Sequence, residues 1–124
     1  MSLASSIARF QRQVYRAQRS QNPVTVTEPS HKTGRDVLIP IPAVKSATTD
    51  QRTPSDQGAG YILEAVATIL IAPDLGFLPV VGTDFTITES PVASEIGTVW
   101  RVRERREGSL LTQTPHRCSC YRLD

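Results

Sequence analysis

Beyond Asn22-Pro23 the apolar residues of this chain stop recurring every three or four positions and begin to alternate. That change of period constrains the fold more than any other feature. A repeat near 3.6 stripes one side of a helix, whereas a repeat of two sends successive side chains to opposite faces of a strand. Before the break, Leu3, Ile7, Phe10 and Val14 make one stripe, extended by Ala4, Ala8 and Ala17. This spacing predicts an amphipathic helix over 2–19, capped by Ser2 and ended by Asn22-Pro23. After the break, strands are predicted at PVTVTE (23–28), YILEAVATILIA (61–72), FTITE (85–89), TVWRVRER (98–105) and RCSCYRL (117–123). Residues 35–44, RDVLIPIPAV, also look extended. Pro40 and Pro42 cannot donate to a ladder, so this segment reads as an edge strand or an extended arm.

Turn formers separate these segments at the spacing of a small all-β domain. The expected fold is mainly β: a small antiparallel barrel or sandwich of about five to six short strands, preceded by one helix. One domain spans 1–124, with the β-rich body from 23 onward. Residues 45–60, KSATTDQRTPSDQGAG, contain no large apolar side chain and read as a long polar loop. Intrachain burial cannot offset the entropy of ordering such a loop, so it is expected to order against another chain. The 39% hydrophobic and 6% aromatic content, with nine Pro and seven Gly, points the same way. A modest core in a chain of this length gains stability from neighbouring subunits.

The net charge of +2 is too small to imply a nucleic-acid binder by itself, but its distribution is uneven. Residues 1–40 carry six basic and two acidic side chains, 41–100 carry two and seven, and 101–124 carry six and three. Basic ends flanking an acidic middle suit head-to-tail packing of identical subunits; the plainer reading is solvated arginine at both ends. Within the helix, Arg9, Arg12, Arg16 and Arg19 form a second stripe with no acid among them. That stripe is a solvated face, or meets another protein, or attracts phosphates of nucleic acid or lipid. No stretch approaches the eighteen apolar residues of a membrane span, and Arg9 interrupts the start before a signal-peptide core forms.

Motifs for chemistry are missing. There is no GxSxG, no GxxxxGK[ST] and no GxGxxG, and the acids are scattered one per predicted element. His116, Cys118 and Cys120 could touch one metal ion with His31 completing the set, but the spacing is not that of a zinc finger. Cysteines at i and i+2 of a strand point to one face, roughly 6.5 Å apart, which favours free buried thiols over a disulfide. The sequence thus predicts a protein that is not an enzyme and needs no cofactor or metal.

The stretch from Ala67 to Leu123 reads ATILIAPDLGFLPVVGTDFTI, then GTVWRVRERREG, then RCSCYRL. An apolar strand, a glycine–aspartate turn, a strand of alternating hydrophobics and a W-x-V strand resemble the lambda-type head–tail joining proteins of long-tailed phages, the head completion or stopper family. Here Thr83 separates Gly82 from Asp84, and the connection 89–97 is long for that family. The resemblance implies a virion neck protein, assembled in the bacterial host cytoplasm. It would form a ring between portal or adaptor proteins of the capsid vertex and tail or tail-terminator proteins, with packaged DNA in the channel. Candidate interface residues are Arg9, Arg12, Arg16, Arg19, Arg52, Arg101, Arg103 and Arg105. The rival readings are a tail-terminator or other virion ring protein, and an OB-like module binding nucleic acid through Arg101, Arg103, Arg105 and Arg106.

Overall fold

Six strands close on themselves and a seventh is added outside. A computed structural model describes residues 21–54 and 60–123; the predicted helix 2–19, with Arg9, Arg12, Arg16 and Arg19, lies outside the described residues. The strands are β1 (Gln21–Thr27), β2 (Ile41–Ser46), β3 (Thr49–Pro54), β4 (Tyr61–Ile71), β5 (Asp84–Glu89), β6 (Val99–Arg106) and β7 (His116–Leu123). The order β2-β1-β5-β6-β7-β4 is closed by a β2–β4 pairing, and β3 is attached beyond β4. Every pairing is antiparallel. The domain is therefore mainly β, and the closing β2–β4 pairing makes it a barrel rather than a sandwich.

Alternation decides what goes inside. Val24 and Val26 of β1, Ile41 and Ala43 of β2, Ala67, Ile69 and Ile71 of β4, and Phe85 and Ile87 of β5 meet in one cluster. Trp100 and Val102 of β6 join them, as do Cys118 and Cys120 of β7. Both cysteines are free and buried. Trp100 is 1% exposed and its indole N–H donates to Thr98 Oγ1 at 2.9 Å, so the largest core residue leaves no polar atom unpaired. Phe77, from the β4–β5 connection, packs against the core from outside, with its ring 6.2 Å from Phe85 and 4.8 Å from His31.

Three expectations change. Residues 45–60 are not one polar loop: β2 runs to Ser46, β3 occupies Thr49–Pro54 and β4 starts at Tyr61. Residues 35–44 are not an arm or a sheet edge either, because β2 pairs with β1 on one side and β4 on the other. Pro42 is tolerated because the β4 pairing covers only Ala43–Lys45, so Pro42 sits where β2 has β1 alone as neighbour. Finally, the strand predicted from TVWRVRER does not alternate regularly along its whole length. Val102 pairs with Cys120 and Glu104 with Ser119, which leaves Arg103 as the extra residue of a β-bulge. The bulge reverses the alternation, so Arg105 falls opposite the inward Cys118.

Candidate assembly surface

The register gives the barrel two dissimilar poles. At the loop pole lie the connections 28–40, 72–83 and 107–115, beside Ile41, Ile71 and His116. At the ribbon pole lie the β2–β3 kink, the β5–β6 connection and the ends of the described chain at Gln21 and Leu123.

The ribbon is built by β4 outrunning its neighbours. Pairing with β7 starts at Val66 and with β2 at Ile69, whereas Tyr61–Val66 pair with β3. Residues 61–65 and 49–54 thus form a two-stranded hairpin beyond the barrel wall. Leu63 on it is 71% exposed. Arg52, a sequence candidate, is exposed on β3 opposite Leu63. Two strands alone are marginal in water, and unpaired strand edges invite further pairing.

Side-chain bonds anchor the base of this ribbon. The backbone N–H of Thr68 donates to Ser46 Oγ at 2.8 Å, bridging the break between β2 and β3. Lys45, 1% exposed, donates to the Ser46 carbonyl at 3.0 Å and to Thr48 Oγ1 at 2.8 Å across the same kink. Its third bond, 2.8 Å to Glu95 Oε1, fastens the short turn Ala93–Glu95 over the barrel, and the ammonium lies 4.8 Å from the centre of the Trp100 ring. Glu95 Oε2 accepts from Ser90 Oγ at 3.1 Å. A buried lysine with three hydrogen bonds and a carboxylate partner meets the condition for burying a charge at all. On the other side, Arg103 reaches Glu64 Oε2 at 2.5 Å and lies 4.4 Å from the centre of the Tyr121 ring, tying the bulge to the ribbon base. Between ribbon and barrel runs an open groove of about 570 Å³ lined by Ser46, Thr49, Gln51, Thr68, Arg103 and Ser119.

The β6 arginines have other employment than an open basic patch. Arg101 binds both oxygens of Asp84, at 2.8 and 3.0 Å. That bond, opposed by partial burial and aided by the arginine charge, lowers the Asp84 pKa; the same bond, with a further one to Tyr121, raises that of Arg101. Arg105 donates to the Pro79 carbonyl at 2.8 Å. Two bases of the last sequence block are thus paired with acids of the middle block. Arg106 and Arg117 of this region are exposed, and they are Cα partners.

His116, Cys118 and Cys120 all face inward, but each has its own surroundings. His116 Nδ1 accepts the Gly108 N–H at 2.8 Å. A Cβ at Gly108 would lie 2.1 Å from the Thr114 carbonyl oxygen, so only glycine lets the chain pass there. Burial lowers the His116 pKa, with Arg105 adding and Glu107 opposing. Burial pushes the Cys118 thiol up to about 12 against the pull of Arg105, and pushes Cys120 higher still. Such thiols are poor nucleophiles and reluctant ligands. Among the described residues no group of three His, Cys, Asp or Glu is placed to hold a metal ion, and no helix is long and apolar enough to cross a membrane.

Exposed apolar side chains concentrate at the loop pole: Val37 and Leu38 from the first connection, Leu78, Val80 and Val81 from the second, Leu110 and Leu111 from the third. Sequence reasoning missed this pole, because three separate connections supply it and each alone reads as an ordinary turn. No protein-family model matches the chain, and no curated protein is similar enough to count as a relative.

Proposed function

We propose that this chain is a structural neck protein of a tailed bacteriophage, a head–tail connector that forms a ring joining the portal end of the capsid to the tail. The observation that carries the reading is the ribbon: a closed barrel extends one hairpin past its wall, with Leu63 71% exposed and the outer edge of β3 unpaired among the described residues. A monomer gains nothing from such an element, whereas an assembly gains a contact. The partners in this reading are further copies of the chain, portal or adaptor proteins above and tail or terminator proteins below. The rival nucleic-acid module is less well supported. Its basic strand is split by a bulge, two of its arginines are held by Asp84 and Glu64, and six barrel strands exceed the five of an OB-fold.

Two measurements test the proposal. The mass of the purified protein in solution should correspond to a ring or to a concentration-dependent oligomer. The protein should also be present in purified tailed particles, and particles made without it should accumulate as separate heads and tails. Its absence from purified virions defeats the neck assignment.

A further inference from the structure

We propose that copies of this chain join head to tail, the ribbon pole of one seated on the loop pole of the next. The inference rests on the ring reading above and names its two contact surfaces.

The first support is area. A fully exposed Val or Leu side chain shows roughly 60–120 Å² of apolar surface. The seven exposed apolar side chains of the loop pole range from 44% for Leu38 to 97% for Leu111. Together they show roughly 250–500 Å². One side of a standard protein interface buries about 800 Å², a little over half of it non-polar, or about 450 Å². The loop pole thus carries between about half and all of the apolar area of one half-interface. Its three connections are also tied together. The His31 and Phe77 rings join the first two connections at 4.8 Å, and Arg105, next to the third, holds the Pro79 carbonyl of the second.

The second support is placement. The other exposed large apolar side chains among the described residues, Leu63, Val92 and Ile96, lie at the opposite pole, Leu63 on the ribbon and the other two in the β5–β6 connection. A self-pairing of two loop poles would cover one patch and leave the ribbon bare. A single repeated contact of unlike poles covers both, and such contacts close into rings when the rotation permits. Within each copy the ribbon base is held rigid by the Arg103–Glu64 pair and the Ser46–Thr68 bond, so the arm is presented in a fixed direction.

The test uses full-length chain and light-scattering mass. Leu63→Asp removes the ribbon contact; Val81→Asp with Leu111→Asp removes the loop-pole contact, and Leu111→Asp alone serves if the double variant loses its fold. Retained Trp100 emission and circular dichroism verify the barrel. At a concentration where the parent chain assembles, each variant is expected to run as a monomer. An equimolar mixture of the two is expected to give twice the monomer mass and nothing larger, because only one intact pair of poles remains. A Leu63→Asp protein that still dimerises by itself, or a mixture that stays monomeric, overturns the head-to-tail contact. Parent chain that remains monomeric at every concentration defeats the ring reading as well. A parent ring that both variants also form leaves that reading standing and defeats this inference alone.

Discussion

The two halves of β4 are made of similar residues and meet opposite fates. In the C-terminal half Ile69 and Ile71 are both 0% exposed, enclosed by β2 and β7; in the N-terminal half Leu63 is 71% exposed, with β3 as its neighbour. Neither β propensity nor hydrophobicity separates them. What separates them is how far the partner strands extend. β2 and β7 end their pairing at Ile69 and Val66, so the barrel ends there, and the strand continues as half of a ribbon. The lesson is that burial belongs to the closed sheet and not to the apolar run that contributes to it.

The difference predicts unequal mutational cost. Trp100→Ala should be the most damaging change, about 3–5 kcal/mol, because it opens a cavity in the enclosed region, removes the donor to the Thr98 hydroxyl and takes away the ring beside the Lys45 ammonium. Against a total stability of about 5–15 kcal/mol that removes a large share of it, and urea titration should show it as a large fall in midpoint. A loss of stability of less than about 1 kcal/mol would mean that the barrel is not the stable unit.

The kink between barrel and ribbon offers a second measure. Glu95→Gln leaves the 1%-exposed Lys45 ammonium without its carboxylate, whereas Lys45→Met leaves Glu95, 15% exposed, nearer to water. Breaking a buried pair from one side costs about 3–5 kcal/mol when the orphaned charge is fully enclosed. Glu95→Gln should therefore cost more than Lys45→Met, and the double variant less than the sum of the singles. A double-mutant cycle on thermal unfolding gives the coupling; additive losses would show that the two side chains do not act together.

These elements also show what the sequence could disclose. β1, β4, β5, β6 and β7 lie within two residues of the alternating runs that predict them, because each has one face in the core and burial writes a period of two into the residues. β3 was invisible: TDQRTP has no apolar member, since Thr49–Gln51 and Arg52 are exposed and the strand exists by pairing with β4 outside the barrel. The bulge at Arg103 was invisible too, because it costs one residue and leaves the run TVWRVRER looking regular. For the candidate site, Arg52 falls on the ribbon as an exposed residue, but Arg101, Arg103 and Arg105 turn to Asp84, Glu64 and Pro79. Pairing across strands far apart in sequence decided their roles, and single-strand patterning carries no record of it. The loop pole was illegible for the same reason.

Acid should act on the loop pole before it reaches the ribbon. His116 has its pKa lowered in the fold, mainly by burial, while in the unfolded chain it takes a proton near 6.5. The unfolded state then binds more protons, so stability is complete above about pH 6.5 and falls as pH drops toward the folded value. The slope cannot exceed about 1.4 kcal/mol per pH unit from this one group. Protonation also removes Nδ1 as acceptor for Gly108, which carries the connection bearing Leu110 and Leu111. Melting temperature between pH 7.5 and 5 should fall for the parent chain and fall less steeply for His116→Gln. Equal slopes would remove His116 as the cause.

The smallest effect on folding is expected where the largest effect on assembly lies. Leu63→Ser replaces an apolar side chain that is already 71% in water, on a strand whose hydrogen bonds to β3 come from the backbone and survive the change. Surface substitutions of this kind stay within about ±0.5 kcal/mol. The same change at Ile69, enclosed on the other half of the strand, would cost several times more, from the lost apolar contacts and from a hydroxyl buried among them. Melting of Leu63→Ser should therefore overlay that of the parent chain measured under dissociating conditions. Under assembling conditions the parent should gain melting temperature with concentration, by mass action, and the variant should not. If Leu63→Ser lowers the melting temperature of the dissociated chain by as much as Ile69→Ser, the ribbon is part of the cooperative core, and the distinction between the two halves of β4 fails.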